Sequence, residues 1–233
     1  MKTFGRVLTA MITSFNEDGS VNIENTVAIA EHLLNHGSDG LVVCGTTGEN
    51  PTISRESKIA LFKAIAETCG DKGTIIANVG SNDTKGSVDF VKEVSTIPGI
   101  DGLLVVVPYY NKPNQQGQYL HFKTIAEATT LPIMVYNVPS RVGTGIFPTT
   151  LVQLHNEYPH ICAIKEASGN LMIASEIKRL MPGDDFMVYS GDDGLTLPML
   201  SIGGCGVVSV VSHVAGKDMN AMIQAYESGH NYE

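Results

Sequence analysis

The 233-residue chain has no tryptophan, and its phenylalanines and tyrosines bring the aromatics to only 6%. Any core must therefore be built mainly from aliphatic side chains, and with 43% of residues apolar there are enough of them to exclude a disordered chain. Charge is scarce at 17% and lopsided, 15 basic against 24 acidic residues, a net −9. That balance excludes sequence-independent nucleic-acid binding and attachment to anionic membranes, both of which need clustered positive charge. No apolar run reaches the ~18 residues of a membrane span, and the opening Met1-Lys2-Thr3-Phe4-Gly5-Arg6 lacks the apolar stretch of a secretory signal. Cysteine is also sparse. Cys44, Cys69, Cys162 and Cys205 form no CxxC pair and no Cys/His cluster, which argues against a zinc site or a redox dithiol and for reduced thiols in a cytoplasmic protein.

What is present is a strict alternation. Short apolar runs at Val7–Met11, Leu41–Cys44, Thr74–Asn78, Gly102–Val107, Pro132–Tyr136, Cys162–Lys165, Phe186–Ser190 and Val207–Val210 are each followed by a helical pattern. The helices are expected over Ile23–Asn35, from Ser54 to about Thr68, near Lys85–Ser95, near Tyr119–Ala128, over Pro148–Glu157, over Leu171–Met181, near Leu195–Ser201 and from about Lys217 onward. The runs are near-continuously apolar rather than alternating, as in parallel strands covered on both faces. Eight such units without a breaking linker predict a closed (β/α)8 barrel spanning 1–233 as one domain. A doubly wound sheet would want a GxGxxG turn after the first strand, and Ala10-Met11-Ile12-Thr13 offers none.

In a barrel the reacting groups lie at the C-terminal ends of the strands. Those positions hold Gly45-Thr46-Thr47-Gly48-Glu49-Asn50, Pro108-Tyr109-Tyr110-Asn111, Tyr136-Asn137-Val138-Pro139-Ser140-Arg141 and Lys165-Glu166. Lys165 closes an apolar run, so burial would favour its neutral, nucleophilic amine. It could equally snorkel from the strand end or pair with Glu166. Tyr136, on the adjacent strand end, suits a proton shuttle. The Gly-Thr-Thr-Gly turn can hold a carboxylate through hydroxyls and N–H groups, or be plain punctuation. Arg141 can grip a carboxylate or remain a solvated surface arginine. Tyr109 and Tyr110 can be packing aromatics or an interface anchor. The seven histidines are scattered, and His213, nearest a strand end, reads as loop structure.

Taken together, Gly40–Glu49, Tyr109-Tyr110-Asn111-Lys112-Pro113, Tyr136–Arg141 and Ala163-Ile164-Lys165-Glu166 resemble the dihydrodipicolinate synthase family, class I aldolases related to N-acetylneuraminate lyase. The resemblance runs the length of the chain and implies condensation of pyruvate with aspartate 4-semialdehyde, towards diaminopimelate and lysine, without metal or organic cofactor. It implies that Lys165 forms a Schiff base with pyruvate and that Thr46 or Thr47 helps hold the pyruvate carboxylate. It makes Tyr136 the proton shuttle, linked through Thr47 to a Tyr110 donated across a dimer interface, in a homodimer or homotetramer. It gives Arg141 the semialdehyde carboxylate, and Gly191 and Val208 the lining of the pyruvate pocket. The pairing of Thr46 with Arg141 favours the synthase over neuraminate and sugar-acid lyases, which remain the alternative activity.

Two departures from the resemblance stand out. Lys58 and Gly86 occupy places where regulated members carry a histidine and an acidic residue, while Tyr109 and Asn82 are kept. Weak or absent lysine inhibition is therefore expected, since Lys58 repels an effector's ammonium. The second concerns length. Members of the family continue past the barrel with a helical segment, most of which this sequence lacks after Asn231-Tyr232-Glu233. The expectations are an exposed apolar face at Ile173, Ile177 and Leu180 and, as a further alternative, a non-catalytic homologue.

Overall fold

The computed structural model describes residues 4–183 and 185–229. Eight parallel strands follow one another around a closed barrel: β1 (Val7–Ala10), β2 (Gly40–Val43), β3 (Thr74–Asn78), β4 (Gly102–Val106), β5 (Ile133–Asn137), β6 (Ile161–Glu166), β7 (Met187–Ser190) and β8 (Gly206–Ser209). The seam is closed by β1 against β8, Leu8 opposite Val208. All but one strand residue, Val106, are buried, which is why the runs read as continuous apolar sequence.

The outer layer follows from the caps. Helix α1 (Ile23–Asn35) starts where the Asn22 side chain accepts from Asn25 N–H, and α2 (Arg55–Cys69) where Ser54 accepts from Ser57 N–H. Helix α3 spans Thr84–Val94. Helix α4 (Gln115–Ala126) begins a turn earlier than the expected start near Tyr119, because Asn114 caps it by accepting from Gly117 N–H. A short α5 (Pro139–Val142), which apolar periodicity does not reveal, follows β5; α6 (Pro148–Glu157) starts at Pro148, whose fixed φ suits a first turn. Helices α7 (Leu171–Leu180), α8 (Thr196–Ser201) and α9 (Ser212–Glu227) complete the ring. Helix α9 starts at Ser212, ahead of the expected Lys217, because a non-helical Ala215 separates a first turn from the regular helix. On α1, Thr26, Ala30 and Leu33 are buried, one stripe at helical spacing turned to the barrel.

The expected bare face of α7 is corrected by the packing. Ile177 is 1% exposed, while Ile173 and Leu180 are partly buried. The helix turns these residues inward, and its exposed apolar residue is Met172 at the N-terminal turn. Among the described residues no helix is long and apolar enough to cross a membrane. The cysteines are free thiols, and burial pushes Cys44 and Cys205 up to about 12 and Cys162 to about 11, far from reactive thiolates. His230 and residues 231–233 lie outside the described residues.

Candidate active site

The C-terminal strand ends share one mouth, and register fixes who meets whom there. Lys165 on β6 sits beside Tyr136 on β5 and Tyr189 on β7. Its side chain is buried, and its Nζ lies 4.5 Å from the centre of the Tyr136 ring. Burial drives the ammonium's pKa down to about 8; Arg141 pushes the same way and Asp193 opposes it. The bland alternative of a Lys165–Glu166 pair does not form, because successive strand residues face opposite sides. Glu166 instead accepts from Asn137 Nδ2 and Ser168 N–H, each at 2.7 Å.

Tyr136 is raised in pKa by burial, countered by the neighbouring Thr46 side chain and by the side chain and charge of Arg141. The threonine that acts on it is Thr46, whereas the relay implied by the resemblance runs through Thr47. Thr46 is the exposed one of the pair and lines the same cavity as Tyr136; Thr47 is half-buried beside it. The turn itself is strained, with Cys44 at φ 55° and Glu49 at φ 58°. Its closing bonds run from Glu49 N to Thr46 O and from Asn50 N to Gly45 O, which leaves the N–H groups of Thr46, Thr47 and Gly48 without a partner among the described residues. Three free N–H groups in one tight turn are donors of the kind that hold an anion.

Above Tyr136 opens a cavity of about 190 Å³ walled by Thr46, Asn78, Leu104, Tyr109, Tyr136 and Arg141, among others. Lys165, Thr47, Gly191 and Val208 are not among its walls. Gly191 closes β7, donating from its N–H to Glu166 O at 2.8 Å, and a Cβ there would sit 2.5 Å from the Ala167 Cβ, so only glycine fits. Val208 is buried in β8. Tyr110 stands apart: it is 88% exposed with φ 70°, and this chain gives it no contact with Tyr136. The structure thus gathers Lys165, Tyr136, Thr46 and Arg141, with Thr47 adjacent, and leaves Tyr110, Gly191 and Val208 outside that group.

The sequence reading misses Asp193. Its carboxylate accepts from Ser209 Oγ and from the N–H groups of Val210 and Val211, tying the turn after β7 to the end of β8 while acting electrostatically on Lys165. Its place after a barrel strand was the available signal. His213, expected as loop structure, lies instead in the first turn of α9, where Nε2 accepts from Ile12 N–H, so Nδ1 carries the proton and donates to Val210 O.

The model of the Dihydrodipicolinate synthetase family matches residues 3–233. The chain belongs to this family. A 4-hydroxy-tetrahydrodipicolinate synthase of Desulforamulus reducens is 51% identical over 226 residues, 97% of this chain and 76% of the relative. Among family structures, a dihydrodipicolinate synthase from Bacillus anthracis superposes with a TM-score of 0.95 at 44% identity, over 99% of this chain and 78% of that one. One from Cyanidioschyzon merolae with lysine bound gives 0.93 at 44% identity, over 96% and 75%. In this family member a second cavity, of about 340 Å³, shares Asn50, Pro51, Asn78, Gly80 and Tyr109 with the first and adds Arg55, Lys58, Gly86 and Phe90.

Proposed function

We propose that this chain condenses pyruvate with aspartate 4-semialdehyde to 4-hydroxy-tetrahydrodipicolinate through a Schiff base on Lys165. The buried Lys165 amine, lowered to about 8 beside Tyr136, carries the reading. A neutral amine adds to the C2 carbonyl of pyruvate; the carbinolamine takes a proton on oxygen and leaves as water, giving an iminium. That cation withdraws electrons from the methyl carbon, which loses a proton to form an enamine. The enamine carbon attacks the aldehyde, whose oxygen takes up a proton. The amino group of the second substrate then displaces Lys165 and closes the ring.

Each substrate brings a carboxylate. The unpaired N–H groups at Thr46, Thr47 and Gly48, with the Thr47 hydroxyl, suit that of pyruvate. The exposed Arg141 guanidinium suits that of the semialdehyde. Tyr136 is the proton carrier, and its neighbour Thr46 is better placed as the relay than the Thr47 of the resemblance. Gly191 and Val208 bound the pyruvate site by resemblance alone. The mechanism uses no metal or organic cofactor, and the free thiols fit a cytoplasmic enzyme.

Borohydride reduction with pyruvate tests the reading: a mass gain is expected on the peptide containing Lys165 and none in Lys165→Ala. An assay with aspartate semialdehyde, set against N-acetylneuraminate cleavage, then separates the synthase from related lyases. An unmodified Lys165 would support the non-catalytic alternative.

Tyr110, exposed in this chain, fits a role in the site of a second copy. Mixing Lys165→Ala and Tyr110→Phe subunits, each nearly inactive alone, is expected to restore activity by pairing an intact Lys165 with an intact Tyr110. A mixture no better than its components rejects the exchange.

A further inference from the structure

Among the described residues the Glu166 carboxylate is the one buried acid next to the Schiff-base position, and the proposed chemistry leaves it unused. Both of its oxygens accept: Oε1 from Ser168 N–H and Oε2 from Asn137 Nδ2, each at 2.7 Å. Asn137 is fully buried, and its Oδ1 accepts in turn from Ile146 N–H at 3.2 Å. A backbone N–H can only donate, so Oδ1 must face Ile146 and Nδ2 must face Glu166. The chain Ile146 N–H to Asn137 to Glu166 therefore has one permitted direction, fixed by an acceptor-only carboxylate at its end.

What this chain spans is the segment between Asn137 and Ile146. That segment begins with α5, whose N–H groups at Arg141 and Val142 bond back to Val138 O, and it carries Arg141. The Asn137 side chain thus ties the segment's far end to its own root. On the outside, Gln115 and Gln118 of α4 donate to Gly145 O, and Gln115 also accepts from Phe147 N–H. Glu166 lies on β6 one residue after Lys165, and Asn137 on β5 one residue after Tyr136, paired in register. The strands that hold the amine and the shuttle are thereby bonded, on their opposite face, to the segment that holds the arginine.

We infer that Glu166 and Asn137 are positioning residues that fix the Arg141 segment relative to Lys165, and so set recognition of the second substrate's carboxylate. The inference rests on the proposed roles of Lys165 and Arg141. Glu166→Gln breaks the direction of the chain. If the introduced amide oxygen accepts from Ser168, the amide N–H₂ meets that of Asn137. Asn137 must then turn over and offer a donor to Ile146 N–H. Asn137→Asp places two carboxylates face to face. The double variant Glu166→Gln/Asn137→Asp satisfies every group again. Its introduced amide accepts from Ser168 N–H and donates to the introduced carboxylate, which also accepts from Ile146 N–H.

The test measures KM for aspartate semialdehyde, the rate of borohydride-trapped pyruvate adduct on Lys165, and thermal unfolding in the wild type, both single variants and the double. The single variants are expected to raise KM for the semialdehyde by about tenfold or more, with adduct formation within about twofold of wild type; the double should return KM towards wild type. Single variants with unchanged KM, or a double no better than the worse single, overturn the inference. If a single variant does not fold, recovery of folding and KM in the double supports it, and a double that stays unfolded overturns it. A wild type that gives no adduct on Lys165 rejects the Schiff-base reading instead, and the unfolding temperatures still report on the bonded chain.

Discussion

Lys165 is tuned by two opposed charges. Arg141 lowers its pKa and Asp193 raises it, on top of the larger effect of burial that brings it to about 8. Only the neutral amine attacks a carbonyl, so the rate of pyruvate-adduct formation should climb with pH and level off above about 8, not near the 10.5 of a free lysine. Removing the group that stabilises the ammonium moves this limb down, and removing the group that destabilises it moves the limb up. Asp193→Asn, whose amide oxygen can still accept from the Val210 and Val211 N–H groups while its NH₂ donates to Ser209 Oγ, should therefore shift the limb to lower pH; Arg141→Ala should shift it higher. Adduct rates from pH 6 to 10 read both signs, and shifts in the same direction would refute the balance. Lys165 was legible in the sequence because a cation at the end of an apolar strand run is anomalous by itself. The destination of Glu166 was not, because chain adjacency suggested a pair with Lys165 that strand alternation forbids. The Thr46–Gly48 turn was legible as a holder of a carboxylate or as plain punctuation; which of its N–H groups stay free was not, since backbone direction is not encoded in residue type.

Elements repeat the pattern on a larger scale. Strand and helix positions were readable from apolar periodicity and caps, and α1 and α6 have the expected ends. The misplaced starts of α4 and α9 were decided by one cap and one irregular residue. Pairing between elements was less legible, and the groove between α2 and α3 is the instructive case. Arg55 on α2 is bound to Glu93 and Asp89 O of α3 and stacks over Phe90, whereas Lys58, one turn further along α2, has no ion-pair partner among the described residues. Burial lowers its pKa, a sign of an ammonium poorly hydrated where it lines the 340 Å³ cavity with Gly86 and Tyr109. None of the residues lining the cavity carries a carboxylate to receive a second ammonium; the Asp83 carboxylate packs against Gly86 without lining the cavity. Free lysine is therefore expected to bind poorly, and steady-state turnover should be undiminished at millimolar lysine. Half-inhibition below that level would sink this expectation. Asn78 and Tyr109 wall both this cavity and the catalytic one.

At the scale of the whole molecule, the barrel exists only if β8 finds β1 across nearly the full length of the chain. The eight-unit count made closure predictable, but nothing in the residue pattern reveals how tight the seam is. Gly206 opens β8 against the backbone of Arg6: Val207 N–H donates to Arg6 O at 2.8 Å, and a Cβ on Gly206 would run into that same oxygen. No flexible side chain can yield there, because the obstructing atoms are main chain. Gly206→Ala must therefore either push β1 away or lose ladder bonds at the seam, and overpacking of this kind costs about 2–3 kcal/mol. For a chain of this length that corresponds to a fall in Tm of about 4–12 °C. Every strand lies in one closed hydrogen-bonded circuit, so we propose that the chain folds as one domain, and that wild type and variant each unfold in a single calorimetric transition. A variant with unchanged Tm would show that the seam relaxes freely. Two separate transitions would show that the barrel is not one cooperative unit, and that closure at Arg6 and Gly206 is not what holds the first strand to the last.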